Sequence, residues 1–445
     1  MADLERAVRR VPGDAVWSKQ LPEDPDAVAT AALVRLERYS GATLARLLRF
    51  LGLVSLEWEA HGAVVRDVHG NEYVECGGYG MFVHGHTHPL VVEAVRRQAA
   101  ELGQSTRMLP NLQQAELSER LAAVTPGDLQ YSFLCNSGAE AVEGALKLAR
   151  AATGRQGILA TRGAFHGKSF GSLTASGKAQ YRDPFQPLVP GFAHVPYGDG
   201  DALGAAADEL AAAPGGLAAI ILEPIQGEAG VIIPPAGYLQ TARAICDRHG
   251  ALLIADEVQT GIGRTGSWFC CDADAVVPDI LTAAKSLGGG VMPVGAFISR
   301  PHCWEPFDEN PFLHTSTFGG SPLASAAALA ALRAVEEEGL LERAQQIGRL
   351  VGEGLGEIGR RYPGAIAAVR GRGLFWGLEL RSEGLGGVML NHLLGEAGVL
   401  VVYSQNQPQV IRVMPPAVAT PAQMEFVLEQ VDAAAAQAEA VSGDL

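Results

Sequence analysis

The chain has 445 residues, 48% apolar and 19% charged, enough for a sizeable core in two or three domains, or in one large domain with an appendage. Its net charge of −15, without a basic cluster, argues against nucleic acid or an anionic membrane as partner. No stretch approaches the ~18 apolar residues of a membrane span, the opening MADLERAVRRVPGD lacks a signal-peptide core, and six cysteines without a C-x-x-C pair read as reduced thiols, so a soluble cytoplasmic protein is expected.

In chain order, residues 1–50 mix acidic, basic and Leu/Ala positions and predict helices. Residues 55–76 change to period two around a His69-Gly70-Asn71 turn, which predicts a small antiparallel element. From about residue 90, helices alternate with short apolar strands, predicted at 131–135, 157–161, 217–222, 251–255, 280–283 and 294–298. That alternation gives an α/β fold with a largely parallel sheet covered on both faces. Ser321-Pro322 opens an Ala-rich helix that Gly339 ends. After Tyr362-Pro363 come short strands and helices, closed by a helix over 433–440 with Ser442-Gly443-Asp444 frayed. The expected division is 1–89 for the N-terminal helices and small β element, 90–335 for the large α/β domain, and 336–445 for a smaller α+β domain.

In such a sheet, ligands sit beyond the carboxyl ends of the strands. Three predicted ends carry charge: Glu223 to Glu228 after LAAIIL, Asp256 to Gln259 after ALLIA, and Lys285 after DILTAA. A single charge at a strand end is ordinary; three converging ones favour a site. A lysine at an apolar mouth loses ammonium stability, which suits Schiff-base chemistry. A neighbouring aspartate can hold a protonated ring nitrogen. Ser137-Gly138-Ala139-Glu140 leads from a strand into a helix in a capping-box pattern, whose free amides could cradle a phosphate.

With Phe165-His166-Gly167 and Thr315-Ser316-Thr317-Phe318-Gly319-Gly320, this set resembles the class III (ω-type) aminotransferases of pyridoxal-phosphate (PLP) fold type I, over about residues 55–430. The stretches 131–148, 163–169, 184–196 and 312–320 look most like the putrescine aminotransferases of that family. The resemblance implies a large domain with a mainly parallel seven-stranded sheet, and a smaller domain built from the N- and C-terminal segments. It implies PLP as cofactor and a homodimer with its sites at the subunit interface. Lys285 would carry the cofactor as a Schiff base and move the proton. Asp256 would pair with the pyridine nitrogen, Gln259 would reach the phenolic oxygen, and Val258 and Phe165 would sandwich the ring. Ser137, Gly138 and Ala139 would bind the phosphate, with Thr317 supplied by the other subunit; His166 and Glu223 complete the cofactor-binding set. Ala139 departs from the hydroxyl residue usual there and loses one side-chain bond.

Substrate binding falls to Tyr79, Lys168, Glu228 and Arg412. Arg412 interrupts the apolar run Val410-Ile411-Arg412-Val413-Met414, as a carboxylate clamp or as an edge-strand arginine. Glu228 resembles the family's switch carboxylate, which neutralises that arginine for amines lacking a carboxylate. Lys168 stands where many relatives that bind ornithine-type substrates have arginine, and it cannot make the planar two-point clasp. The expected reaction is ping-pong transfer from a terminal amine, putrescine or a related diamine, to a 2-oxo acid such as 2-oxoglutarate or pyruvate. Alternatives are a biosynthetic enzyme for a larger aldehyde or ketone, with Met81, Phe82 and Val83 lining the pocket, and an ornithine- or acetylornithine-type aminotransferase. A PLP racemase, aminomutase or decarboxylase, and a P-loop nucleotide binder, stand further back. Gly163–Ser169 has three residues between its glycines where a P-loop has four. His84, His86 and His88 read as a structural turn rather than a zinc site, and Cys270-Cys271 as buried small residues. The 54 glycines, about 12% against a usual ~7%, gather at 77–80, 138, 167, 261–266, 288–290 and 319–320.

Overall fold

The computed structural model describes residues 8–13, 15–50 and 54–443; the signal-peptide reading of residues 1–14 and the frayed Asp444 fall partly outside them. The expected helices occur at Pro25–Tyr39, capped by Asp24 accepting from Ala27 N at 2.9 Å, and at Ala42–Phe50. The described residues from 8 to 24 are not helical. Pro12 and Pro22 interrupt them, and bonds to glutamate side chains of the first sheet hold them in place. Trp17 Nε1 donates to Glu72 at 2.9 Å, and the amides of Ser18 and Lys19 donate to Glu59, each at 2.9 Å.

The antiparallel element is β1 (Glu57–His61), β2 (Val64–Asp67) and β3 (Glu72–Glu75). Next come β4 (Tyr131–Cys135), β5 (Gly157–Thr161), β6 (Phe192–Val195), β7 (Leu217–Leu222), β8 (Leu252–Asp256), β9 (Ile280–Ala283) and β10 (Gly295–Ser299). These seven form one sheet, ordered β4-β10-β9-β8-β7-β5-β6. β10 is antiparallel to both its neighbours while every other pairing is parallel, so six strands share one direction. β5, β7, β8, β9 and β10 are buried along their whole length, which is why they read as unbroken apolar runs. β6 escaped the sequence pattern: it is a four-residue edge strand with only Val195 buried.

The last group is β11 (Ile366–Arg372), β12 (Phe375–Leu380), β13 (Val399–Leu400), β14 (Val402–Ser404) and β15 (Gln407–Val413). β13 joins β3 in parallel, tying the two ends of the chain together, and the others form a sheet ordered β11-β12-β15-β14. Helices Leu340–Arg361 and Pro421–Ala440 pack on each other beside this sheet. The Ala-rich helix runs Pro322–Glu337, with Ser321 capping Ala324 N, and Gly339 at φ +59 turns the chain into the next helix. This is the fold type I arrangement: a mainly parallel seven-stranded sheet flanked by helices, plus a smaller domain from both chain ends.

Candidate active site

Because β4, β5, β7, β8 and β9 run in one direction, the segments after them emerge at one sheet edge. Ser137, Phe165, Glu223, Asp256 and Lys285 therefore converge, although up to 148 positions separate them in sequence. Reversed β10 begins at that edge, Gly295 opposite Cys135, and delivers the preceding residues 291–294. Together they enclose a cavity of about 560 Å³. Of the expected site residues, Ser137, Gly138, Ala139, Phe165, His166, Lys168, Glu223, Asp256, Val258, Gln259 and Lys285 line it.

At one end, helix Gly138–Thr153 starts at Ser137, whose Oγ accepts from Glu140 N at 3.2 Å. The first-turn amides of Gly138 and Ala139 have no acceptor inside the helix. A Cβ on Gly138 would lie 2.7 Å from Val258 Cγ1, so the cradle has room only for bare backbone. The expected capping box is corrected in one respect. The Glu140 carboxylate reaches past the cap to the backbone N and Nδ2 of Asn136, at 3.0 and 2.9 Å, because Ser137 is fully extended at φ −156 and ψ 164.

Deeper in, Asp256 Oδ2 meets His166 Nδ1 at 2.6 Å, while Oδ1 accepts from Thr282 Oγ1 and Val258 N, each at 3.1 Å. Burial works to lower the His166 pKa, but the hydrogen bond and charge of Asp256 override it and the net shift is upward. His166 Nε2 is buried without a partner among the described residues. Glu223 accepts from Phe165 N at 2.9 Å and Gly227 N at 3.0 Å. Burial pushes its carboxyl up to about 7, against the opposing charge of His166. Lys285 follows β9 in a left-handed conformation, φ +49, which an L side chain adopts only when its surroundings enforce it. Desolvation lowers its pKa, opposed chiefly by Glu228 and Asp256.

The other four expected residues lie off the cavity wall. Tyr79 is joined to it through Gln259, whose Nε2 donates to Tyr79 O at 3.3 Å. Glu228 and Arg412 form a buried ion pair, Nη1 to Oε1 at 2.7 Å. The edge-strand alternative for Arg412 is overturned, since β15 is flanked by β12 and β14. Arg412 is fully buried and its Nε has no partner among the described residues. Lys168 Nζ sits 4.4 Å from the Tyr181 ring centroid and 5.9 Å from that of Phe165. Thr317 is exposed and does not line this cavity, although its neighbour Ser316 accepts from the cavity-lining Asn136 at 3.2 Å. Of Met81, Phe82 and Val83, Met81 lines the cavity, Phe82 stacks on His86 at 3.8 Å, and Val83 is buried in the core.

Sequence reasoning missed Thr282, hidden inside an apolar strand, and the wall residues Ile225, Val291 and Met292. It also missed Ser286, whose Oγ donates to Gly80 O at 3.0 Å. The glycine run 288–290 beside residues 291–292 was the available signal. His84, His86 and His88 meet three separate partners: Ala331 O, Glu75 and Glu338.

The family model "Aminotransferase class-III" matches residues 53–435. Among solved structures, the ornithine aminotransferase of Toxoplasma gondii is 32% identical, with 87% of this chain and 92% of that chain covered and a TM-score of 0.81. The acetylornithine aminotransferase of Elizabethkingia anophelis is also 32% identical, covering 86% and 94% at a TM-score of 0.74. An (S)-enantioselective omega-transaminase of Thermomicrobium roseum is 29% identical, covering 86% and 93% at 0.80. The Toxoplasma protein is described with PLP at its active site, and PLP is the cofactor of the class. The residues present fit that group: free helix-start amides for a phosphate, a buried carboxylate for a ring nitrogen, apolar flanks at Phe165 and Val258, and a desolvated lysine. The chain belongs to the class III aminotransferases, as a PLP-dependent transaminase of fold type I.

Proposed function

We propose that the chain moves the amino group of a terminal amine, putrescine or a related diamine, to a 2-oxo acid such as 2-oxoglutarate or pyruvate. The observation that carries this reading is the buried Glu228–Arg412 pair, with Arg412 Nε left without a partner among the described residues. Paired, the arginine is neutralised and an uncharged aliphatic chain can lie beside it. Released from Glu228, the same guanidinium can clasp a carboxylate bidentately. One pocket can thus accept two partners of different charge in alternation. Met81, Ile225, Val291 and Met292 supply apolar wall for an aliphatic donor. Lys168 offers a point charge in place of a planar clasp, which disfavours a donor bearing an α-carboxylate there.

Ser137, Gly138 and Ala139 would hold the phosphate of PLP, Asp256 its ring nitrogen, Gln259 its phenolic oxygen, and Phe165 and Val258 its faces. When bound, PLP supplies an electron sink for the carbanion left by loss of the substrate proton. Lys285 Nζ, whose pKa desolvation lowers, takes and returns that proton. His166 and Thr282 hold the Asp256 carboxylate in place.

A homodimer is part of this reading. Arg107 Nη1 donates to Gly319 O at 2.6 Å, joining two loops whose Met108, Phe312 and Phe318 are 86%, 85% and 60% exposed. So much uncovered apolar surface calls for a partner, and a second copy would cover it while presenting Thr317 to the opposite cavity. An amine screen tests the substrate assignment: putrescine and cadaverine turn over with 2-oxoglutarate faster than ornithine does. Clear preference for ornithine sinks the diamine reading. The second reading, an ornithine- or acetylornithine-type enzyme, is favoured by the 32% identity to those two neighbours.

A further inference from the structure

β14 and β15 are joined by a two-residue turn, Gln405-Asn406, with Ser404 opposite Gln407. This hairpin carries Arg412, and its tip is fastened to the large domain at several points. Tyr181 Oη donates to Gln405 O at 3.1 Å, and Lys178 Nζ donates to Asn406 O at 2.8 Å. Asn406 Nδ2 donates to Gly163 O at 2.8 Å. Glu228 is tied to the same tip: its Oε2 accepts from Gln405 N at 2.8 Å, and its backbone oxygen accepts from Asn406 N at 3.0 Å. Tyr181 also lies beneath the Lys168 ammonium at 4.4 Å. One short helix, Ala179–Arg182, thus touches both the lysine at the cavity wall and the hairpin of the buried arginine.

The geometry points to Tyr181, assisted by Lys178, as a positioning residue for the half-reaction in which Arg412 binds the 2-oxo acid. This rests on reading Glu228 and Arg412 as a pair that separates when a carboxylate enters. While the amine is bound, the Glu228–Arg412 bond is itself one of the ties between hairpin and large domain. Once a carboxylate takes the guanidinium, that tie is lost. The hairpin is then held at its tip by Tyr181, Lys178 and Asn406 together with the remaining main-chain bonds to Glu228. Tyr181 and Lys178 supply the side-chain share that keeps Arg412 in register. The latch therefore matters more for the acceptor than for the donor. Both Tyr181 and Lys178 bind main-chain oxygens at the tip, so the latch is indifferent to the side chain at Gln405.

The test separates the two half-reactions by following cofactor absorbance in rapid mixing, on the PLP-loaded enzyme with putrescine and then with 2-oxoglutarate. Tyr181→Phe keeps the ring under Lys168 and removes only the bond to Gln405. It should raise the apparent KM for 2-oxoglutarate by about fivefold, the worth of one hydrogen bond, while the amine half-reaction stays within about twofold. Lys178→Met should act in the same direction. Equal slowing of both half-reactions together with a lowered Tm would mean a merely structural contact and would overturn the proposal. Arg412→Ala identifies which idea fails. If it leaves the acceptor KM unchanged, the reading of Arg412 itself is wrong. If it raises that KM and Tyr181→Phe does not, the latch alone is wrong.

Discussion

At the scale of single residues, the site is a set of charges whose burial is offset by named partners. Lys285 is the group the chemistry cannot lose. Lys285→Ala protein should show no turnover, and borohydride should leave its cofactor removable by denaturation, whereas in the parent enzyme reduction fixes the cofactor covalently to the chain. Residual turnover above about one-thousandth of the parent would assign the proton transfer elsewhere. Glu223 gives a pH prediction. Its folded-state pKa, pushed up to about 7 by burial, exceeds that of an unfolded glutamate, so the folded chain holds a proton that the unfolded chain has released. Stability is then greatest below the unfolded value and falls as pH rises towards 7. The raised His166 pKa works in the same direction, its contribution being lost as pH rises through the folded value. Urea unfolding of the apoprotein between pH 5 and 8 should show this decline, and Glu223→Gln should flatten it; identical slopes would contradict the assignment. Lys285 and Glu223 were legible in sequence because each follows a short apolar run that reads as a buried strand, whereas His166 came only with the family resemblance. Thr282 was not legible, since one hydroxyl inside ILTA breaks no pattern.

At the scale of elements, the cradle depends on how closely helix Gly138–Thr153 lies on the sheet. A Cβ at Gly144 would stand 2.1 Å from the Phe297 ring, with Phe297 fully buried in β10. Gly144→Ala must push helix and sheet apart, and overpacking of this kind costs about 1–3 kcal/mol. The displacement also moves the amides of Gly138 and Ala139, so PLP affinity should fall along with Tm. Unchanged PLP binding in a destabilised protein would show that the cradle is insulated from the packing below it. Short buried strands were readable as apolar runs; β6 was not, because an edge strand buries little. The interior position of β15 was equally hidden, since it follows from pairing with β12 and β14 across a turn whose register no local pattern specifies.

At the scale of the whole molecule, six co-directional strands convert scattered sequence positions into one edge, and the reversed β10 closes it with residues 291–294. The described N-terminal residues between 8 and 24 show where pattern reading failed: the Trp17 indole and the amides of Ser18 and Lys19 bond to Glu72 and Glu59 in the first sheet, and no helix forms there. The exposed surface around Met108 and Phe312 carries the assembly prediction. Light scattering should give a dimer for the parent chain and a monomer for Met108→Asp/Phe312→Asp, with weakened PLP binding in the monomer. A parent chain that is monomeric at micromolar concentration would remove Thr317 from the site. Most direct for the central claim is the fate of nitrogen from putrescine labelled with heavy nitrogen. With 2-oxoglutarate present, the label should appear in glutamate in equimolar amount to the amine consumed, and Lys285→Ala should abolish it. Amine consumption without any 2-oxo acid, or label that never reaches an amino acid, would contradict a transaminase working on a terminal amine.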